Sequence, residues 1–193
     1  MEMKKGSIPD FVPLPPDQID LPTLGKFEMG TALEAMILRF LRAGGFVIVD
    51  TGEDQATVSA GRISGHPDGW IETSPGGQWD GWILEIKTMH GFGYDAAVGN
   101  SKRVGEGLKE WHKDQVTVYC AATEAKGCLF VYYDRGTGRM KLIPYVPEDG
   151  RFTRLAQKAA MILNMKAIPP MQPVAAWECG SCEFKRQCAK DGG

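Results

Sequence analysis

Several features that would assign the chain to a special class are missing from its 193 residues. The N-terminal ten residues contain two lysines but no apolar segment, so we expect no secretory signal. No run of about 18 apolar residues occurs, so we expect no membrane span. The net charge is only −2, which excludes a global basic signature of nucleic-acid binding. These absences predict a soluble cytoplasmic protein, in the host's cytoplasm if the source is viral.

Cysteine is scarce before the end of the chain, and the first of the five is Cys120. In a reducing compartment, cysteines favour metal binding or plain burial over disulfides. Cys179, Cys182 and Cys188 have the spacing Cys-x2-Cys-x5-Cys, which suits an iron–sulfur cluster or a zinc ion. A fourth ligand is not evident, because Cys120 and Cys128 are more typical of buried thiols. A three-thiolate site completed from outside and a vestigial site both remain open.

What is present is the composition of an ordinary globular protein, with 43% hydrophobic and 24% charged residues. The length suits one domain with a small appendage. Residues 1–25 contain five prolines and predict an extended N-terminal arm. We expect a core over residues 26–165 and a cysteine-containing tail over residues 166–193.

The pattern of apolar residues predicts an α/β fold whose central mixed sheet of about five strands is flanked by helices. Internal repeats are absent. The predicted order is a helix, three strands, a helix, two strands and a helix, over residues 27–42, 46–50, 56–72, 80–88, 106–122, 128–134, 140–146 and 151–165. Residues 56–72 are expected to form one long strand or a bent pair.

Charged residues gather on the predicted hairpin in the middle of the sheet. A turn centred on residues 76–77 would place Asp68 opposite Glu85 and His66 opposite Lys87. Directly opposed residues have Cβ atoms about 5 Å apart. Glu85 and Lys87 lie two residues apart and so share one face of the strand. Two carboxylates and an ammonium are therefore expected on one patch of sheet.

This grouping indicates a metal-dependent hydrolytic site. Adjacent carboxylates form a hard oxygen site suited to Mg²⁺ or Mn²⁺. A lysine beside them can hold a nucleophilic water and stabilise the charge of a phosphodiester transition state. A salt bridge between the hairpin strands is the alternative, but it leaves one carboxylate in excess within an apolar hairpin.

Other charged residues are less informative alone. Glu34 lies at the edge of the buried face of the first helix and, by itself, is typical of a solvated glutamate. Four cations precede or begin the second helix and are candidates for contacts with DNA phosphates, although on charge alone a solvated helix face is preferred. These are Lys102, Arg103, Lys109 and Lys113.

Four short motifs in order carry a family resemblance. Pro67-Asp68 followed by Glu85-Ile86-Lys87 resembles the PD-(D/E)XK nuclease superfamily. The segment from Gln115 to Tyr119 is similar to the QxxxY motif of its RecB-like exonuclease branch. Gly30-Thr-Ala-Leu-Glu34 is similar to the helix motif that precedes the sheet in those enzymes. The resemblance spans residues 30–119 and implies a restriction-endonuclease-like core.

The resemblance also implies roles for single residues. Asp68 and Glu85, with the backbone carbonyl of Ile86, would bind the metal, and Lys87 would be catalytic. Glu34 would be a further metal ligand or a water-mediated contact, and glutamate here is closer to viral recombination exonucleases than to the many members with histidine. The remaining residues are Gln115 and Tyr119, which would orient the site or contact the nucleic-acid backbone, and His66, which would support the metal ligands or be structural.

The cysteine tail resembles that of iron–sulfur RecB-like nucleases, including the CRISPR-adaptation exonucleases. Those proteins take a fourth cysteine from a position ahead of the first helix. This chain has no cysteine before Cys120, so the resemblance is incomplete there.

The function expected from the sequence is a Mg²⁺- or Mn²⁺-dependent DNA exonuclease acting in recombination, repair or viral DNA processing. A structure-specific endonuclease is one alternative. Another is a non-hydrolytic nucleic-acid-binding subunit of a recombination or CRISPR-adaptation complex, against which the intact set of Asp68, Glu85 and Lys87 argues. Expected partners are DNA and a single-strand annealing protein or another recombination subunit, and a homo-oligomer is compatible with the sequence.

Overall fold

The described part of the chain, residues 21–99 and 107–165 of the computed structural model, is organised around a five-stranded sheet. The helices and strands follow along the chain as α1 (Leu21–Ala43), β1 (Val47–Val49), β2 (Val58–Ala60), β3 (Ile63–Gly65), β4 (Gly69–Thr73), β5 (Trp82–Met89), α2 (Gly91–Ala97), α3 (Glu110–Thr123), β6 (Cys128–Asp134), β7 (Met140–Tyr145) and α4 (Arg151–Leu163).

The sheet has the strand order β1-β4-β5-β6-β7. Strands β5 and β6 are parallel, and the other neighbouring pairs are antiparallel. The predicted α/β fold with a mixed sheet of about five strands is therefore confirmed. Residues 56–72 were expected as one long strand or a bent pair, but the chain turns at Gly61 and forms the separate ribbon β2–β3. Gly61 has φ +64°, which glycine adopts without strain.

The register of the central hairpin follows the prediction. Gly69 pairs with Leu84, and Ile71 pairs with Trp82. The same register places Asp68, one residue before β4, beside Glu85. It does not extend back to His66, because β4 begins at Gly69 and the chain has already turned away towards β3. The predicted pairing of His66 with Lys87 is wrong.

The first helix begins earlier than its sequence suggested. α1 starts at Leu21 rather than at residue 27, so residues 21–25 are helical and do not belong to an extended arm. Pro22 lies in the first turn of the helix, where its missing N–H removes no intrahelical hydrogen bond. Residues 1–20 lie outside the described part. Across residues 21–99 and 107–165, no helix combines the length and apolar character needed to cross a membrane.

The sheet is covered on both faces, and this arrangement decides where the charged residues of β5 point. On one face, α1 packs Ile37, Leu38 and Leu41 against the sheet. On the other face, α3 packs Val116 and Tyr119 against it. Side chains alternate along a strand, so Leu84 and Ile86 face α1 while Ile83, Glu85 and Lys87 face α3.

Candidate active site

Asp68, Glu85 and Lys87 meet at the start of the central hairpin. The ammonium of Lys87 donates a hydrogen bond to Glu85 Oε1 at 2.6 Å. The backbone N–H of Ile86 donates to Asp68 Oδ2, also at 2.6 Å. Glu85 is only 1% exposed. The structure therefore brings together the two carboxylates and the ammonium that were expected on one patch.

Helix α3 adds two of the predicted residues to this group. Lys87 Nζ donates to Gln115 Oε1 at 3.0 Å, and Gln115 Nε2 donates to Tyr119 Oη at 2.9 Å. Gln115 and Tyr119 are one helical turn apart and so share a face of α3. These contacts hold the ammonium of Lys87 between β5 and α3 and use two of its three N–H donors.

Gly65 makes room for Tyr119. A Cβ atom at this position would lie 2.6 Å from Tyr119 Cε1 and 2.9 Å from its hydroxyl oxygen. The tyrosine ring therefore occupies the space of a side chain at residue 65. This close approach is a physical reason for the glycine three residues before Asp68.

Glu34 reaches the site through a residue that the sequence analysis did not identify. Gln55 Nε2 donates to Glu34 Oε1 at 3.2 Å and lies 3.4 Å from Asp68 Oδ1. Gln55 directly follows the short 3-10 turn Gly52–Asp54. It thereby connects a carboxylate of α1 to the hairpin. Nothing in the sequence signals this role, since a glutamine in a polar loop is unremarkable.

The three carboxylates share an environment that disfavours negative charge. Burial raises the pKa of Glu85 to about 8, with repulsion from Asp68 adding to the effect and Lys87 opposing it. Burial also raises the pKa of Asp68, against the hydrogen bond from the Ile86 N–H. Burial and then Asp68 raise the pKa of Glu34. A bound cation would relieve this accumulation of charge.

One observation indicates that the carboxylates of this site suit a divalent metal. Glu85 Oε2 is buried and has no hydrogen-bond partner. Such an oxygen is costly unless it binds a cation, and Asp68 Oδ1 has only the long contact from Gln55. Among residues 21–99 and 107–165, however, no three His, Cys, Asp or Glu side chains are arranged to hold a metal ion. The ligand set of Glu34, Asp68, Glu85 and the Ile86 carbonyl thus stays a prediction.

The other predicted site residues are more scattered. His66 is exposed, with Nδ1 3.4 Å from Thr57 Oγ1. Lys109 Nζ lies 5.9 Å from the centroid of the Trp111 ring. Lys113 pairs with Glu110 at 2.8 Å. Lys102 and Arg103 lie outside the described residues, so their contact with DNA stays a prediction.

The structure describes two of the five cysteines, Cys120 and Cys128. Cys179, Cys182 and Cys188 fall outside the described residues, and binding of a cluster or zinc there stays a prediction. Cys120 and Cys128 are buried free thiols. Burial raises the pKa of Cys120 to about 12 and that of Cys128 well above its ordinary value. Because metals bind the thiolate, both are poorly suited to supply a fourth ligand.

Replacing Gln55 by alanine should weaken the site without unfolding it. The change releases Glu34 from Asp68, and loss of residues that orient metal ligands typically costs about 10–100-fold in metal affinity or activity. We therefore expect the Mn²⁺ concentration at half-saturation of the site to rise about 10-fold. Gln78→Ala, at an exposed glutamine of the hairpin loop, is the matched control.

The effect of Gln55→Ala should also depend on Glu34. In a Glu34→Ala background, the second substitution should change the Mn²⁺ requirement less, because the connection between Glu34 and Asp68 is already broken and only the 3.4 Å contact with Asp68 is left to lose. Equal effects of Gln55→Ala in both backgrounds would contradict the proposed connection.

Comparisons with known proteins found similar structures but no similar sequence. No protein-family model matches the sequence, and no curated protein sequence matches it. An alkaline exonuclease (LHK-Exo) from Laribacter hongkongensis superposes with a TM-score of 0.50 at 19% identity, over 83% of this chain and 72% of that chain. LHK-Exo in complex with dAMP gives 0.50 at 18% identity, over 69% of this chain. The protein SSO0001 gives 0.52 at 21% identity, over 86% of this chain and 71% of that chain.

At these identities the likeness establishes the fold. The chain has a restriction-endonuclease-like fold, as expected from the sequence. It spans 64% of the length of LHK-Exo in the dAMP complex.

Proposed function

We propose that this chain, built on the PD-(D/E)XK nuclease fold, is a metal-dependent deoxyribonuclease that hydrolyses phosphodiester bonds from DNA ends. The observation that supports this proposal best is the group of Asp68, Lys87 and the buried Glu85, whose Oε2 has no hydrogen-bond partner. A purely structural ion pair would satisfy both oxygens of a buried glutamate. A group that must accept a cation leaves one available.

Each residue has a chemical task in this proposal. A Mg²⁺ or Mn²⁺ ion held by Asp68, Glu85 and the Ile86 carbonyl would activate water and offset the charge of the phosphate. Lys87 orients the attacking water and stabilises the negative charge that develops on the phosphate oxygens. Glu34 would be a further ligand of the metal or would contact it through a water.

Lys87 needs a fixed position for this task, since electrostatic stabilisation depends on groups that are already in place before the reaction. Gln115 accepts one of its hydrogen bonds and is itself held by Tyr119. The pair on α3 therefore orients the ammonium. Tyr119 stays neutral, because burial raises the pKa of its hydroxyl, and its oxygen accepts the hydrogen bond from Gln115 Nε2.

Action from DNA ends is proposed from two likenesses. The Gln115–Tyr119 motif resembles that of RecB-like exonucleases, and LHK-Exo is described as an alkaline exonuclease. We place the activity in recombination, repair or viral DNA processing in the cytoplasm, beside a single-strand annealing protein or a related subunit.

The test is a cleavage assay on end-labelled linear DNA and on closed circular DNA of the same sequence. We expect linear DNA to be degraded with Mg²⁺ or Mn²⁺, circular DNA to persist, and EDTA to stop the reaction. Cleavage of the circle would indicate a structure-specific endonuclease instead. Tight DNA binding without cleavage under either ion would indicate a non-hydrolytic subunit and would overturn the proposal.

A further inference from the structure

Trp111 is exposed to 62%, although large aromatic side chains are usually covered in a monomeric protein. It is the second residue of α3 and takes no part in the hydrogen bonds around Lys87. Trp111 precedes Gln115 by four residues, which is one helical turn and about 6 Å along the helix axis. The exposed indole is therefore one turn of α3 before the glutamine that contacts Lys87.

The Trp111 ring packs against the neighbouring His112. Its edge contacts the ring of His112 at a centroid distance of 5.7 Å and an angle of 77°. His112 is buried, and its Nδ1 lies 2.7 Å from the hydroxyl of Tyr132. Tyr132 is in turn the register partner of Lys87 in the sheet. The indole thus contacts a residue that is hydrogen-bonded to the strand next to the one that bears Lys87.

The surroundings of the indole suit an anionic ligand with a flat apolar part. Lys109 Nζ lies 5.9 Å from the ring centroid, and Lys113 is half-buried one turn further along α3. Glu110, which pairs with Lys113, has a side chain that is 67% exposed. Exposed ion pairs contribute little, so a phosphate can replace Glu110 as the partner of Lys113.

A groove of about 580 Å³ runs beside Trp111 and the two lysines. This volume is within the range of about 300–1,000 Å³ typical of small-ligand sites. Tyr145 of β7 also lines the groove.

We propose that Trp111 stacks on an unpaired base of the DNA strand whose phosphate lies at Lys87, while Lys109 and Lys113 contact neighbouring phosphates. Within a duplex, both faces of a base are covered by adjacent base pairs, and only the terminal pair exposes one face, whereas every unpaired base offers a face to an indole. The preferred substrate is therefore a single-stranded end or overhang. This inference rests on the proposed nuclease function and adds the strand state of its substrate.

The experiment measures binding rather than cleavage. Fluorescence anisotropy of a labelled single-stranded oligonucleotide and of the matching duplex is recorded with Lys87→Ala protein in Mg²⁺. The wild-type protein in Ca²⁺ serves as a second format should that variant fail to fold. Trp111→Ala should weaken single-strand binding about 10-fold or more, the loss expected when one base loses its stacking partner. Duplex binding should be unchanged.

Three controls separate stacking from charge and from damage to the fold. Trp111→Phe keeps an aromatic face and should retain binding within about 3-fold. Phe40→Ala removes an aromatic that is 53% exposed on α1 and should have no effect. Lys109→Ala and Lys113→Ala should each make the plot of log binding constant against log salt concentration less steep by about 0.7 for the single strand. Trp111→Ala should leave that slope intact.

The outcomes are distinct. Unchanged single-strand binding by Trp111→Ala, or an equal loss for duplex and single strand, would overturn the stacking proposal while leaving the nuclease proposal standing. If the parent protein binds neither DNA, both proposals fail. A 10-fold or greater loss confined to the single strand and rescued by phenylalanine would support the inference.

Discussion

Replacing Lys87 by alanine should lower the rate of DNA cleavage by about 10³-fold or more, the typical cost of removing one positioned group that stabilises transition-state charge. The ammonium stands between Glu85 Oε1 at 2.6 Å and Gln115 Oε1 at 3.0 Å. No second cation contacts these oxygens in the described residues. The measurement is single-turnover cleavage of linear DNA at saturating Mn²⁺.

Two comparisons sharpen the Lys87 experiment. Lys158→Ala removes an exposed lysine from α4 and should cleave DNA at the wild-type rate. Lys87→Arg should also be severely impaired, because the planar guanidinium does not fit a site built for three radiating N–H donors. Metal binding should persist in Lys87→Ala, since the carboxylates remain. Cleavage near the wild-type rate by a pure, folded Lys87→Ala preparation would refute the assigned mechanism.

Replacing Asp68 by asparagine should abolish cleavage and yet stabilise the metal-free protein. Ionised Asp68 is partly desolvated and lies near Glu85 and Glu34, whose pKa values its charge raises. Asparagine keeps an oxygen for the Ile86 N–H and removes the charge. We expect a gain of about 1 kcal/mol, which for a domain of this size raises Tm by about 2–4 °C.

Metal and pH responses should change with the same substitution. Saturating Mn²⁺ at 100 times its Kd should stabilise the wild type by about 2.7 kcal/mol, and Asp68→Asn should lose most of this response.

In EDTA, the pKa of Glu85 in the folded state is about 8 against an ordinary value of 4.5. The wild type therefore loses stability as pH rises through this window, since the unfolded state ionises first. The slope should be shallower in Asp68→Asn.

Thermal melts at pH 5 and pH 8, with and without Mn²⁺, check both statements. Glu72→Gln is the matched control, because this carboxylate is exposed on the same hairpin. A metal-free Asp68→Asn protein that melts below the wild type would show that Asp68 stabilises the fold, contrary to the charge accumulation described above.

The hairpin could be predicted from the sequence because its contacts are local. Once the position of the turn is known, the two-residue period of a strand determines which residues face each other across the hairpin and which side chains share a face. The pairing of Gly69 with Leu84 follows from this rule. The prediction failed at His66, since the same rule gives no sign of where a strand starts. Strand β4 begins only at Gly69 because the chain leaves the ribbon β2–β3 just before it.

Contacts between distant segments were predictable only where a family motif named them. Gln115 was placed at the site through its resemblance to such a motif, and the bond to Lys87 agrees with that placement. Gln55 belongs to no motif, and its two carboxylate contacts join the loop after Gly52–Asp54 to α1 and to Asp68. Its side chain acts only after the helix and the hairpin have come together.

The parallel pairing of β5 with β6 has a consequence for how the protein folds. These strands are neighbours in the sheet, yet residues 90–127 separate them along the chain. Closing so long a loop costs conformational entropy before the new contacts repay it, so this step is expected late in folding. The same loop contains Gln115 and Tyr119. Lys87 has Glu85 beside it on the same strand but should acquire Gln115 only in the final cooperative step, so partly folded molecules would lack the complete site.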